Sequence, residues 1–120
     1  MNVTWFNKEP RKRAVNPADI TIKKSKSGFY LYVRNDNADL MSETGYIRIG
    51  VSNEDPHLLI FMAASKQDGW KLAKFTNHDD TRIVQFNSGK ILDLLARFEG
   101  DYMLDITEDN LFCINRKDVL

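Results

Sequence analysis

The chain has 120 residues, 42% of them apolar, and its formal net charge is zero. This length and composition predict one domain with a substantial hydrophobic core, which needs no disulfide or metal to hold it together. The single cysteine, Cys113, excludes an internal disulfide and a thiolate metal site, so a reducing, cytoplasmic setting is expected. No apolar run approaches the ~20 residues that cross a membrane.

The charges are distributed unevenly along the chain. Residues 1–34 carry eight basic and two acidic side chains, whereas residues 35–120 carry nine basic and fifteen acidic ones. Such an asymmetry can build a positive patch on a protein of zero net charge. It can equally produce two faces that attract each other, within the chain or between copies.

The first half begins with a basic N-terminal arm, residues 1–17, in which Pro10 and Pro17 break regular structure. A single domain, residues 18–120, is expected to follow. In the first half of this domain, alternating or continuous apolar residues predict strands, and one short helix is expected between them. Asn35 or Asp36 is expected to cap the helix, and Gly45 to end it. The predicted strands are Asp19–Lys24, Phe29–Val33 (covered on both faces), Tyr46–Val51 and His57–Ala63.

The second half, beyond the polar connection at residues 64–69, predicts the same kinds of element. A helix from Gly89 to Phe98 has a good N-cap in Ser88 and an apolar face at helical spacing. Turns are expected at Thr76–Asp80 and Glu108–Asn110. The predicted strands are Trp70–Phe75, Arg82–Phe86, Tyr102–Ile106 and Leu111–Asn115.

The order strand, strand, helix, strand, strand thus occurs twice, in residues 18–64 and again in residues 69–117. Asn35 corresponds to Ser88 as a cap, and Gly45 to Gly100 before the third strand. The pattern predicts a β-rich α+β fold made of duplicated β-β-α-β-β halves. The alternative is an ordinary α+β domain whose two halves merely look alike.

The second half resembles the AbrB-type domain, also described as SpoVT/MazE-like or swapped-hairpin. The features that carry the resemblance are Arg82-Ile83-Val84, the helix Gly89–Phe98, Gly100-Asp101, Tyr102–Ile106 and Leu111–Asn115. The family usually has a proline after its second strand, where this chain has Asn87-Ser88.

The resemblance implies a small AbrB-like or double-psi-like barrel with two short helices. Single-repeat members of the family dimerise by interleaving their hairpins. Two copies in one chain therefore imply a monomer with pseudo-twofold symmetry, or else a homodimer. Closing the sheet would remove the exposed strand edges of each half.

No constellation of residues predicts catalysis, a metal site or a cofactor. The paired acids Glu54-Asp55, Asp79-Asp80 and Glu108-Asp109 all fall in predicted turns, where solvated acids are common. His78 lies beside such a turn without a further histidine or cysteine nearby. Cys113 lies within a predicted strand and is interpreted as a packed core thiol. We therefore expect a protein that is not an enzyme.

The basic residues point to nucleic acid. Basic side chains of an arm and of a β-hairpin can contact DNA phosphates, and the AbrB-type resemblance implies DNA contacts from the same strand region. The predicted function is a small non-enzymatic, transcription-regulator-like protein that contacts DNA phosphates through its N-terminal arm and first β-hairpin. Two points weigh against this function. Lysines at strand edges can serve only to prevent aggregation, and a dedicated DNA binder usually has a basic domain, whereas this chain has zero net charge. The candidate residues are Arg11, Lys12 and Arg13 on the arm, Lys23, Lys24, Lys26 and Arg34 around the first hairpin, and Lys71, Lys74 and Arg82 in the second half.

The alternative is a protein-binding module that acts through an acidic surface. Asp36, Asp39 and Glu43 lie on the first predicted helix, and further acids lie in the turns. A phage or mobile-element inhibitor of a host nuclease, or an antitoxin-like protein, would use such a surface. Neither hypothesis involves a membrane.

Overall fold

The computed structural model describes residues 2–5 and 18–120, which form two antiparallel five-stranded sheets and two short helices. This confirms the predicted β-rich α+β class. Within these residues, no helix has both the length and the apolar character needed to span a membrane. The elements are β1 Ile20–Lys24, β2 Phe29–Val33, α1 Asn37–Met41, β3 Tyr46–Val51, β4 Leu58–Ala63, β5 Trp70–Lys71, β6 Ala73–Phe75, β7 His78–Phe86, α2 Ile91–Arg97, β8 Gly100–Tyr102, β9 Asp105–Ile106, β10 Phe112–Asn115 and a 3-10 turn, Arg116–Asp118.

The strands are ordered β6-β7-β2-β1-β8 in the first sheet and β5-β3-β4-β10-β9 in the second. The predicted closed barrel is therefore not confirmed, because the hydrogen-bonded strands form two separate sheets. Two predicted strands are each divided between the sheets. The chain passes from β5 to β6 through buried Leu72, whose N–H donates to the carbonyl of Gly45 at 2.9 Å. It passes from β8 to β9 through Met103 and Leu104.

The strand registers of the first half recur in the second. The β1–β2 register corresponds to that of β6–β7, the β1–β8 register to that of β5–β3, and the β3–β4 register to that of β9–β10. Four of the pairings join one half to the other, namely β1 with β8, β5 with β3, β2 with β7 and β4 with β10. The pair Lys24–Phe29 corresponds to Lys74–Arg82, the pair Ile20–Tyr102 to Trp70–Ile47, and the pair Val51–Leu59 to Ile106–Phe112.

One core lies between the sheets and under the helices. It is built by the alternation of side chains along each strand, which sends every second residue inward. Leu31 of β2 and Leu59 of β4 are both fully buried, as is Leu95 of α2. Both helices are short, and α1 buries only Ala38 and Met41. The helices thus cover the core, whereas the sheets define the shape of the molecule.

The predicted helix ends differ from the observed ones. Asp36 is the N-cap of α1, but it has a left-handed backbone with φ of 60° and its side chain makes no capping hydrogen bond. The helix ends at Met41, and Gly45, with φ of 80°, belongs to the following turn. The second helix begins at Ile91 after the N-cap Lys90, so the prediction that Ser88 caps it was wrong.

The predicted turn at Thr76–Asp80 was also wrong. His78, Asp79 and Asp80 belong to β7, and the turn shrinks to Thr76 and Asn77. Asn77 adopts a left-handed conformation, with φ of 66°, which lets two residues reverse the chain. His78 thereby lies opposite Phe75 across the hairpin.

Gly28 allows the first hairpin to approach β7 closely. A Cβ atom at this position would overlap the carbonyl oxygen of Phe86, whereas a Cβ at Gly50 on β3 would meet nothing within 4 Å. We expect Gly28→Ala to lower the free energy of unfolding by about 1–3 kcal/mol, because the backbone must shift to relieve the overlap. Gly50→Ala is the matched control and is expected to be neutral or slightly stabilising. Urea denaturation measures both, and equal effects of the two substitutions would contradict the packing argument.

The buried thiol of Cys113 makes stability depend on pH. Burial raises its pKa above the ordinary value, and the nearby carboxylate of Asp105 raises it further. The folded chain then keeps the proton that the unfolded chain releases, so stability falls as pH rises above the ordinary thiol pKa of about 8.5. Urea denaturation between pH 7.5 and 9.5 should show this fall, and Cys113→Ala should reduce it even if that variant is less stable throughout. An identical pH dependence in both proteins would refute the assignment.

Candidate nucleic-acid interface

The outer face of the first sheet carries aromatic side chains. Tyr30 and Tyr32 of β2 alternate with the buried core residues Phe29, Leu31 and Val33, so they lie on the opposite face and are half-buried. Strand pairing places Tyr32 in a row across the sheet that also contains Thr21, Ile83, Ala73 and Asp101. The prediction that this strand is covered on both faces was therefore wrong, because the described residues leave this face partly open.

Four rings form a continuous series on this face. The centroids of Tyr30 and Tyr32 lie 6.1 Å apart with a tilted arrangement. Phe75 meets Tyr32 edge to face at 5.5 Å, and His78 stacks on Phe75 at 5.1 Å. The turn at Thr76–Asn77 makes the last contact possible, since it brings the ends of β6 and β7 together.

Three of these rings, those of Tyr32, Phe75 and His78, line a groove with a volume of about 640 Å³. The size falls within the range of roughly 300–1,000 Å³ that is usual for ligand pockets. The basic side chains of Lys23 and Arg34 line the groove near Tyr32, and acidic side chains lie on the β8 side. The wall includes Thr21, Lys23, Tyr32, Arg34, Phe75 and His78, together with Glu99, Gly100 and Asp101.

A chain of hydrogen bonds crosses the floor of the groove. The Arg34 guanidinium donates from Nη1 to the Thr21 hydroxyl, which donates in turn to Oδ1 of Asp101 at 2.5 Å. The same guanidinium lies over the Tyr32 ring, with its central carbon 5.2 Å from the ring centroid. Arg34 is thus positioned by a hydroxyl and a ring, while the other donors of its fork can contact a ligand.

The structure brings some of the predicted basic residues together and separates others. Lys23 and Arg34 line the groove, and exposed Lys24 and Lys26 lie at the adjacent hairpin end. Lys74 and Arg82 face each other across β6 and β7, and Arg82 donates to the carbonyls of Asp79 and Thr81. Lys71 belongs to the second sheet, opposite Tyr46. Arg11, Lys12 and Arg13 lie outside the described residues.

Sequence reasoning missed the aromatic residues of the groove. A signal for Tyr32 was present, since it alternates with Leu31 and Val33 and is more polar than either. Phe75 and His78 had no such signal, because their contact depends on a two-residue turn that the polar run of residues 76–80 concealed. Asp101 was noted only as part of a turn motif before a strand.

Across residues 2–5 and 18–120, no three His, Cys, Asp or Glu side chains are grouped so that they could hold a metal ion. The groove itself contains a single imidazole, that of His78, which is stacked on Phe75. The groove offers rings for stacking, cations for phosphate and carboxylates for N–H donors.

Comparison of the chain with protein-family models, with curated proteins and with solved structures found no match. The resemblance to the AbrB-type domain therefore stays a prediction.

Thr21 links the two charged partners of the groove floor. Replacing it by valine keeps the shape of the side chain but removes the hydroxyl, which leaves Arg34 and Asp101 without their shared partner. We expect Thr21→Val to lower the free energy of unfolding by about 1–2 kcal/mol. Thr21→Ser, which keeps the hydroxyl, should recover most of that loss. If urea denaturation shows that valine and serine are equivalent at this position, the hydrogen-bonded chain contributes nothing to stability.

Proposed function

We propose that this protein is a small, non-enzymatic nucleic-acid-binding protein that contacts DNA phosphates through its first β-hairpin and its N-terminal arm. The observation that carries the proposal is the position of Lys23 and Arg34. Both were predicted as DNA contacts from their charge and from the AbrB-type resemblance, and both line the aromatic groove of the first sheet.

The shape of the first hairpin supports phosphate binding. Lys23, Lys24 and Lys26 are all exposed, within four consecutive positions at the end of β1 and in the turn that follows. At Gly28 this turn packs closely against the end of β7, next to the three lysines. Cations clustered in this way release counterions when they contact phosphates, which supplies most of the affinity of non-specific DNA binding.

The recurring strand registers support a duplicated, AbrB-like architecture as part of this proposal. The offset between corresponding pairs stays nearly constant from one pairing to the next, and the β2–β7 and β4–β10 pairings relate each half to the other as a twofold axis would. In this interpretation the β6–β7 hairpin is the second copy of the β1–β2 hairpin. Lys74 then corresponds to Lys24, which would give the molecule two related basic positions for a transcription-regulator-like role.

A second candidate function is protein binding through an acidic surface. On α1, Leu40 is 70% exposed and lies between the exposed acids Asp39 and Glu43. An exposed leucine surrounded by carboxylates suits a partner that has an apolar pocket with a basic rim. An inhibitor of a host nuclease or an antitoxin-like protein would have such a partner.

Titration of a fluorescent 20-base-pair duplex at 50 and 200 mM salt tests the first proposal. We expect measurable binding at low salt that falls steeply with added salt. The triple substitution of Lys23, Lys24 and Lys26 by Gln should reduce the slope of log K against log salt by about 0.9 for each lysine that contacts a phosphate. A second triple variant, with Arg11, Lys12 and Arg13 replaced by Gln, tests the arm in the same way.

The matched control replaces Lys66, Lys90 and Lys117 by Gln, which changes the net charge equally at exposed positions outside the groove. If the control and the hairpin variant lose affinity equally, the hairpin is not the contact surface. The absence of binding at 50 mM salt, both to this duplex and to a single strand of the same sequence, would refute the proposal altogether. In that case, capture of one stoichiometric partner from lysate, lost on Leu40→Glu, would support the protein-binding candidate.

A further inference from the structure

We propose that the aromatic groove binds the unpaired bases of single-stranded DNA. This inference rests on the proposed function and narrows it, because it names the form of the nucleic acid and the side chains that contact the bases. It is carried by the series of rings, which phosphate binding alone does not require.

The rings suit base stacking in their number and exposure. Tyr30, Tyr32 and Phe75 are half-buried, so each is held by the sheet yet keeps part of its surface open. The exposed ring of His78 stacks on Phe75 with an interplanar angle of 19°, so two nearly parallel rings lie at one end of the groove. Stacking on such rings is tolerant of sequence, since every base has a π face.

The cations flank the rings in a way that suits a single strand. Lys23 is paired with Tyr30 on one side of the Tyr32 row, and the Arg34 guanidinium lies over the Tyr32 ring itself, so one positive charge stands beside the row and the other above it. A single strand whose bases contact this series of rings would place its phosphates near Lys23 and near Arg34.

The carboxylates on the β8 side of the groove orient the bound DNA strand. Glu99 and Asp101 repel phosphates, so the backbone is directed toward Lys23 and the hairpin. The base edges then point toward β8, where carboxylate oxygens accept hydrogen bonds from exocyclic amino groups such as N4 of cytosine. Asp101 already accepts one bond from Thr21, and a carboxylate has about four acceptor positions.

A duplex cannot use this groove in the same way. In a double helix the bases are stacked on each other, and a protein reaches only their edges. The rings here lie on the surface of a sheet and are half-buried, so only bases that are splayed out of a stack can cover them. The assignment to DNA follows from the proposed function, and the Thr21 hydroxyl, which is already hydrogen-bonded to Arg34 and Asp101, adds no preference for ribose.

The experiment measures anisotropy of a labelled 12-nucleotide mixed-sequence single strand, the duplex of the same sequence and the corresponding RNA, all with the full chain. We expect the single strand to bind at least tenfold more tightly than the duplex. Tyr32→Leu and Phe75→Leu should each lower its affinity by roughly 5- to 150-fold, the range for loss of one stacked base. They should leave the salt slope unchanged, whereas Lys23→Gln should lower it. Tyr46→Leu, on the second sheet, is the matched control and should have no effect.

Circular dichroism and thermal unfolding establish that each variant is folded, and if Tyr32→Leu is not, Phe75→Leu and His78→Ala carry the test. Equal affinity for single strand and duplex, with no loss in the ring variants, would overturn the groove inference and leave the phosphate-binding proposal standing. No binding to any of the three nucleic acids would overturn both. RNA binding more than tenfold tighter than DNA binding would overturn the assignment to DNA.

Discussion

The pairing of β2 with β7 is the contact on which the rest of the structure depends. It places Leu31 opposite Val84 in the core and joins a hairpin from each half into one sheet. The same pairing sets the outer face, because Tyr32 must point outward when Leu31 and Val33 point inward. A slip of one residue would bury the tyrosines and expose the core, so the register that stabilises the fold also positions the groove.

The groove combines two kinds of interaction that separate surfaces often provide. Rings on β2 and β6 supply apolar contact, while Lys23 and Arg34 supply charge at its margins. The Thr21 hydroxyl connects the cationic and anionic sides, which holds Arg34 in place without neutralising it through a direct ion pair. An arrangement of this kind can hold a polyanion that also carries flat apolar groups.

Most strands of the first half of the chain could be predicted from sequence, because local alternation determines them. The observed bounds of β2 and β3 match the predicted ones, and β1 and β4 each begin one residue later. The division of Trp70–Phe75 at Leu72 could not be predicted, since it depends on a hydrogen bond to Gly45 from a distant turn. Lys23 and Arg34 were found from charge, whereas Phe75 and His78 required the conformation of Asn77, which composition does not reveal.

The place of β1 between β2 and β8 has a consequence for how the protein is made. Ile20, Thr21 and Ile22 pair on one side with residues that follow closely, but on the other side with Gly100, Asp101 and Tyr102. On the ribosome, the edge of β1 that pairs with β8 stays unpaired until most of the chain has emerged. The half-built sheet then exposes an unpaired edge, and the charged pair Lys23-Lys24 at the end of that edge opposes association with a neighbouring nascent chain. The lysines that we assign to phosphate binding would thus also protect the protein during its own synthesis.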